Sequence, residues 1–282
     1  MILEIKNLNQ SNISFSMDSG DFLLLFGPDD AGKTELLYQI LGLRHFRQGE
    51  ILFEGISVKK LHTDVRRAIR FVPDSVCMEH ITARDYFAML AKTYEEYEQE
   101  DVLDMCEYFG VDMDVKLTDM TYNENKLTML IGAMVTAPKL LILDEPMNFL
   151  TQESTMKLLG FLKFLSSRGM AILITASEAK EVKDYCNRYI YFKDDAVAHS
   201  GDMKDFYGTQ KAITVVGGEH SLIKNMLGTP IVQTKQRATY LYDKAMQSRT
   251  ISEIVGLMGN ADIEVENLTL EEILDKNYTR WM

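Results

Sequence analysis

Eight consecutive residues, Gly27-Pro28-Asp29-Asp30-Ala31-Gly32-Lys33-Thr34, follow the spacing G-x-x-x-x-G-K-[ST]. Glycines at these places let backbone N–H groups turn inward around phosphate oxygens, while Lys33 reaches the β/γ-phosphates and the Thr34 hydroxyl faces Mg²⁺. A helix opening here also aims its positive dipole end at the anion. Asp29 and Asp30 are unusual, because two carboxylates stand where phosphate should sit. Either both face the ligand and repel it, or both point to solvent at the loop tip; the second arrangement is favoured. Asp30 also holds a place where glycine would tolerate an unusual backbone angle, which Asp is among the few residues able to adopt.

A second segment, Lys139-Leu140-Leu141-Ile142-Leu143-Asp144-Glu145-Pro146, reads as a buried strand ending in two carboxylates. In an open α/β sheet that end is where ligands bind. Asp144 would hold Mg²⁺ through its water and Glu145 would polarise an attacking water as general base. Taken alone, the segment is better read as a strand ending in a solvated acidic turn. The phosphate loop upstream argues for the chemical reading.

These side chains need elements to position them. Phe22–Phe26 is a continuous apolar run suited to a fully buried strand leading into the loop, and a helix is expected over Lys33–Leu41, stopped at Gly42. Short strands are expected at Ile2–Leu8, Ile13–Met17, Glu50–Phe53, Ile69–Val72, Leu140–Leu143, Ala171–Ile174 and Tyr189–Phe192. Helices are expected at Gln152–Ser167 and Glu178–Asn187. From about 75 to 137 the periodicity is helical, an insert within alternating strands and helices. That alternation implies an α/β fold with a largely parallel sheet. Beyond about 210 the pattern changes. Strands at Ala212–Val216, Ile231–Gln233, Ala238–Tyr242 and Asp262–Val265, with helices at Ser221–Leu227, Ile251–Met258 and Leu270–Lys276, make a small ferredoxin-like α+β unit.

Composition narrows the function classes. The chain has 282 residues, 30 Lys+Arg against 42 Asp+Glu, and a net charge of −12. That balance argues against a nucleic-acid partner held by phosphate neutralisation and against adhesion to anionic lipid. No apolar run approaches the ~20 residues of a membrane helix, and the first residues alternate in polarity rather than forming a signal peptide. Three cysteines and five scattered histidines give neither a disulfide framework nor metal-ligand spacing. The acidic run Tyr94–Asp101 reads as a solvated helix face.

With both sites placed, residues 1–210 resemble the ATP-binding subunit of an ABC transporter. The order of landmarks is similar: phosphate loop, helical insert at about 75–137, Ala137-Pro138-Lys139 leading into Asp144-Glu145-Pro146, then Leu173-Ile174-Thr175. Residues 211–282, with the closing segment Asn267–Leu274, look like the accessory extension of single-cassette drug and peptide exporters. The resemblance implies a P-loop ATPase fold with an ABC-type helical insert, ATP and Mg²⁺ as ligands, and a transmembrane permease as partner. It also implies a second ATP-binding subunit and a cytoplasmic location at the inner face of the membrane. The cargo class would be a peptide, drug or lipid.

Departures from the family pattern are specific. The Asn9–Asn12 turn carries no ring to stack on adenine. Asp74 replaces the glutamine that contacts Mg²⁺, so a carboxylate but no amide donor is offered. The signature loop aligns with Met120-Thr121-Tyr122-Asn123-Glu124: Tyr122 and Asn123 stand for two glycines, and Glu124 adds like charge. Thr151 replaces the aspartate after Glu145, and Ser177 replaces the switch histidine, keeping hydrogen bonding but no positive charge. The half-site that completes a partner's site thus looks lost, which favours a heterodimer over a homodimer. A non-hydrolysing regulatory subunit is the alternative function, and the losses at Asp74, Tyr122, Asn123 and Ser177 favour it, whereas Glu145 argues for hydrolysis.

Overall fold

The computed structural model describes residues 1–94, 97–206, 210–216, 230, 232–233, 237–243 and 262–267. The chain divides into two units, Met1–Asp202 and Met203–Met282, slightly earlier than the boundary expected near 210.

The first unit begins with strands β1 (Leu3–Leu8), β2 (Ile13–Met17) and β3 (Phe22–Phe26), followed by helix α1 (Lys33–Ile40). Next come β4 (Glu50–Phe53), β5 (Ile56–Ser57), α2 (Thr63–Arg66) and β6 (Ile69–Val72). Three helices form the insert: α3 (Ala83–Ala91), α4 (Gln99–Phe109) and α5 (Tyr122–Met134). The chain then returns through β7 (Leu140–Leu143), α6 (Gln152–Ser167), β8 (Ala171–Ala176), β9 (Arg188–Lys193) and β10 (Ala196–Asp202).

Two sheets result. One is four-stranded in the order β2-β1-β4-β5 and the other six-stranded in the order β10-β9-β3-β8-β7-β6. The large sheet is parallel from β9 through β6, with β10 as an antiparallel edge hairpin. Every residue of β3, β7 and β8 is buried, as strands covered on both faces require, and this explains their unbroken apolar runs. Leu3, Ile5 and Phe53 of the small sheet share one core with Leu23, Leu25, Ile142 and Leu173 of the large sheet and Leu36 and Ile40 of α1. Parallel register brings Val72 beside Leu143, Leu143 beside Ile174, and Phe26 beside Ala176. The loops that begin at Gly27, Pro73, Asp144 and Ser177 therefore leave from one edge.

The insert helices have well-defined starts. Thr82 with Asp85 caps α3, and Thr121 with Glu124 caps α5, each through a reciprocal capping box. Glu124 is thereby committed to the Thr121 backbone and hydroxyl.

The helix expected over Glu178–Asn187 is instead a run of turns. Ala179 and Val182 carbonyls accept from residues three and four further on, and Ala179, Val182 and Cys186 are buried. The helical spacing of those apolar residues is met by turns because Asn187 must reach β3. Its backbone N–H donates to the Phe22 carbonyl and its Oδ1 accepts from Phe22 N. Strand β10 and the single turn α2 had no strong apolar period, and both went unexpected. The three cysteines are free thiols, and burial pushes Cys106 up to about 11. Among the described residues no helix is long and apolar enough to cross a membrane.

The second unit opens with the turn α7 (Met203–Phe206) and contains β11 (Gln210–Val216), β12 (Val232–Gln233), β13 (Arg237–Asp243) and β14 (Asp262–Asn267). They form an antiparallel sheet in the order β12-β13-β11-β14. The hydroxyls of Thr214 and Thr239 hydrogen-bond to each other at 2.9 Å within it. The helices expected at 221–227, 251–258 and 270–276 lie outside the described residues.

Thr121 has an exposed structural duty that can be measured. Thr121→Ala is expected to lower stability by about 1 kcal/mol and Thr121→Ser to leave it nearly unchanged, as read by chemical denaturation.

Candidate functional site

The loop after β3 turns tightly over the edge of the sheet. Gly27 and Gly32 have φ of 150° and 88°. A Cβ on Gly27 would run into the Phe192 carbonyl, and one on Gly32 into the Asp195 carboxylate, so only glycine fits either place. Lys33 is 4 % exposed. Its ammonium donates to the carbonyls of Gly27 (2.6 Å) and Pro28 (3.0 Å) and lies 3.4 Å from Glu145 Oε1. Ala31 is buried, while Pro28, Asp29 and Asp30 are exposed. Asp30 does not have a positive φ, which corrects the expectation of an unusual backbone there. The strain falls on the two glycines instead.

Asp144, 2 % exposed at the end of β7, accepts two hydroxyl hydrogen bonds. Thr34 Oγ1 donates to Oδ2 at 2.9 Å and Thr175 Oγ1 donates to Oδ1 at 2.7 Å. Thr175 Oγ1 in turn accepts from the Glu145 backbone N–H at 2.8 Å. That bond holds Glu145 at φ 42°, a strained angle for a residue with a side chain, and turns the carboxylate back towards Lys33. Burial raises the Glu145 pKa above the usual carboxylate value, against the opposing pull of Lys33 and the Ser177 hydrogen bond.

Asp29 departs from the favoured reading. Its carboxylate does not turn away into solvent: Ser177 Oγ donates to Asp29 Oδ1 at 2.6 Å. Ser177 Oγ also lies 3.2 Å from Glu145 Oε1, and Ser177 N donates to Glu145 Oε2 at 3.2 Å. Loop, strand end and switch position therefore meet across one small space.

Asp74 is engaged by the loop after Glu145. Its Oδ1 accepts from Asn148 Nδ2 at 2.8 Å. Its backbone carbonyl accepts from Lys126 at 2.9 Å, and Pro73 accepts from the same ammonium at 2.6 Å. Lys126 is wholly buried. Its neighbour Asn125 donates to the carbonyls of Cys77 and Leu117 and accepts from Cys77 N. Together the two side chains pin the loop after β6 onto the start of α5.

The aligned signature residues lie together at the start of α5. Tyr122 is exposed and packs on Phe149 at 5.4 Å between ring centroids. Asn123 Oδ1 accepts from Thr151 N at 2.9 Å, and Thr151 caps α6 through Ser154 N. These residues join the insert to the loop after β7.

Sequence reasoning missed Thr175 as an orienting hydroxyl, Lys126 as a clamp, and Asp195 and Phe192 as walls of the phosphate loop. A hollow of about 340 Å³ lies beside that loop, lined among others by Asn9, Gln10, Glu35, Gln39, Phe192 and Asp195. Phe192, 1 % exposed, reaches this hollow from the core. Its signal was hidden because it sits in a strand distant in sequence.

The oxygen-only pair of Thr34 and Asp144 suits Mg²⁺, which takes one or two protein oxygens and completes its shell with water and phosphate. Among the described residues no group of three His, Cys, Asp or Glu side chains could hold a metal by itself, as that shared mode of binding allows.

Residues 10–148 match the family described as ABC transporter. A ribose import ATP-binding protein of Rhizobium meliloti is 24% identical over 92% of this chain, which spans 56% of that protein. A lipopolysaccharide export ATP-binding protein of Haemophilus influenzae is 25% identical, covering 63% of this chain and 78% of that one. Among solved structures, a dimeric ATP-binding cassette in a post-hydrolysis state with ADP and Pi superposes with a TM-score of 0.63 at 19% identity, over 72% of this chain and 99% of that one. The chain therefore spans little more than half the length of the first of these relatives.

Burial lowers the Lys126 pKa to about 8, although Asp74, Asp144 and Glu145 pull it back up. Between that value and the ordinary one the folded chain binds fewer protons than the unfolded chain, so this lysine's contribution to stability rises with pH. The stability of the wild type relative to Lys126→Met is expected to increase by on the order of 1–3 kcal/mol from pH 8 to 10.5, as measured by denaturation at several pH values. A flat difference would contradict the placement.

Proposed function

Because the chain carries a nucleotide-binding domain of the ABC transporter family, we propose that it binds and hydrolyses ATP to power transport through a separate membrane permease. One observation carries this reading: Lys33, Thr34, Asp144 and Glu145 form a single connected cluster at the carboxyl edge of the parallel sheet. In the proposed mechanism residues 27–34 wrap the phosphates. Lys33 exchanges its carbonyl acceptors for β/γ-phosphate oxygens, and Thr34 and Asp144 would hold Mg²⁺. The cation, when bound, neutralises charge on the phosphate oxygens. Glu145, made more basic by burial, takes a proton from water as that water's oxygen bonds to the terminal phosphorus and the bond from that phosphorus to the β–γ bridging oxygen breaks, releasing ADP and inorganic phosphate. The hollow beside the loop receives the base.

The partner we infer is a second, different ATP-binding subunit. In the matched dimeric structure two cassettes assemble, and here Tyr122, Asn123 and Glu124 are engaged in packing, bridging and capping. A better signature from another chain would complete the site on Lys33 and Glu145. Export is the proposed direction, on the likeness of residues 211–282 to exporter extensions. The matched relatives include both an import and an export protein, so similarity alone does not choose. Residues 211–282 are read as an accessory ferredoxin-like domain, and the subunit is placed at the cytoplasmic face of the membrane through its permease.

A second reading, a regulatory subunit that binds nucleotide without hydrolysis, is favoured by Ser177, whose uncharged hydroxyl is already bonded to Asp29. Glu145→Gln separates the two. Loss of at least about 100-fold in ATPase rate is expected for a hydrolysing subunit, and an unchanged background rate would support the regulatory one. Affinity purification of the tagged chain from its native cells is expected to bring down a membrane protein and a second cassette. A self-paired complex with brisk turnover would contradict the heterodimer.

A further inference from the structure

Asp29 is the side chain of the phosphate loop that crosses the site. Its Oδ1 receives the Ser177 hydroxyl at 2.6 Å, a short, charge-assisted hydrogen bond. A hydroxyl has one proton to give. With that proton on Asp29, the 3.2 Å approach of Ser177 Oγ to Glu145 Oε1 has no second proton to share. The cation beside this group is Lys33, 3.4 Å from Glu145 and otherwise turned to the carbonyls of Gly27 and Pro28. The space between loop and switch is thus already occupied by an anionic acceptor belonging to the chain.

We propose that Asp29 is a specificity-determining residue: its carboxylate takes the place and the hydrogen-bond donor of the terminal phosphate, so that the resting site prefers a nucleoside diphosphate to a triphosphate. The inference rests on the nucleotide-binding reading above. A phosphoryl oxygen and a carboxylate oxygen compete for the same Ser177 proton, and like charges in one pocket repel. A triphosphate must break the Asp29–Ser177 bond and stand beside both Asp29 and Glu145. A diphosphate ends one phosphoryl group short and leaves that bond in place. Asp29 is exposed and its replacement disturbs no packed core, so variants there are expected to fold. Glu181, an exposed carboxylate outside the phosphate loop, provides the charge-matched control.

Calorimetric titration of the full chain with ADP and with a non-hydrolysable ATP analogue, both with Mg²⁺, tests this directly. Asp29→Asn keeps the shape and removes the charge. It is expected to tighten the triphosphate analogue about tenfold while ADP affinity moves less than about threefold, and Glu181→Gln is expected to change neither affinity. In a Ser177→Ala background the Asp29→Asn gain should shrink, because part of it comes from releasing the hydroxyl. Equal shifts for both nucleotides, or no shift for the analogue, would overturn the role of Asp29 while leaving nucleotide binding intact. No binding of either nucleotide to any variant would overturn the reading of the loop itself and this inference with it.

Discussion

The first unit turns on one buried carboxylate. Asp144 is almost without solvent, and a carboxylate so placed must have its oxygens satisfied. It has Thr34 on one oxygen and Thr175 on the other. Those two hydroxyls come from the first turn of α1 and the last residues of β8, so a single group ties together three elements that the sequence keeps far apart. The register of β7 against β8, with Leu143 beside Ile174, is what delivers Thr175 to Asp144. Any slip in that pairing would leave the carboxylate unpaired and also reverse the faces of two wholly buried strands.

Glu145 follows from the same constraint. Its backbone N–H is fixed on Thr175, so the chain bends through a positive φ and directs the next carboxylate across the sheet edge towards Lys33 and Ser177. The insert is attached to this edge by a second set of bonds. Asn125 and Lys126 hold residues 73–77, Asn148 holds Asp74, and Asn123 holds Thr151. A shift of α5 would therefore be felt at Asp74 and at the loop after Glu145, which is the kind of connected path along which a nucleotide site and a distant surface can influence each other.

Much of this was legible in the residues. The unbroken apolar runs Phe22–Phe26, Leu140–Leu143 and Ala171–Ile174 announced buried parallel strands because nothing else accommodates such runs at that length, and the glycine spacing around Lys33 announced a phosphate loop. Other features were hidden for physical reasons. Edge strand β10 carries a mixed pattern because only part of it faces the core. Glu178–Asn187 has helical spacing, yet Asn187 must meet Phe22, and that tertiary bond outweighs local preference. Lys126 is buried in full and bonded to the carbonyls of Pro73 and Asp74, a placement set by tertiary contacts that no local pattern marks. Glu124 and Asp29 show the limit of reading charge without geometry. One is absorbed by a helix cap and the other crosses to Ser177, and sequence position distinguishes neither.

The acidity of the chain thus has local as well as global meaning. Asp29, Asp144 and Glu145 concentrate negative charge around one buried lysine, an arrangement that demands a cation as well as Lys33 when a polyphosphate enters. The most direct test of Asp144 as the centre of the site is a calorimetric comparison of ATP-analogue binding with and without Mg²⁺ for the wild type and for the isosteric Asp144→Asn. The account predicts that Mg²⁺ tightens binding to the wild type by about tenfold or more and that Asp144→Asn removes this gain while still folding. An equal Mg²⁺ effect in both proteins would contradict it.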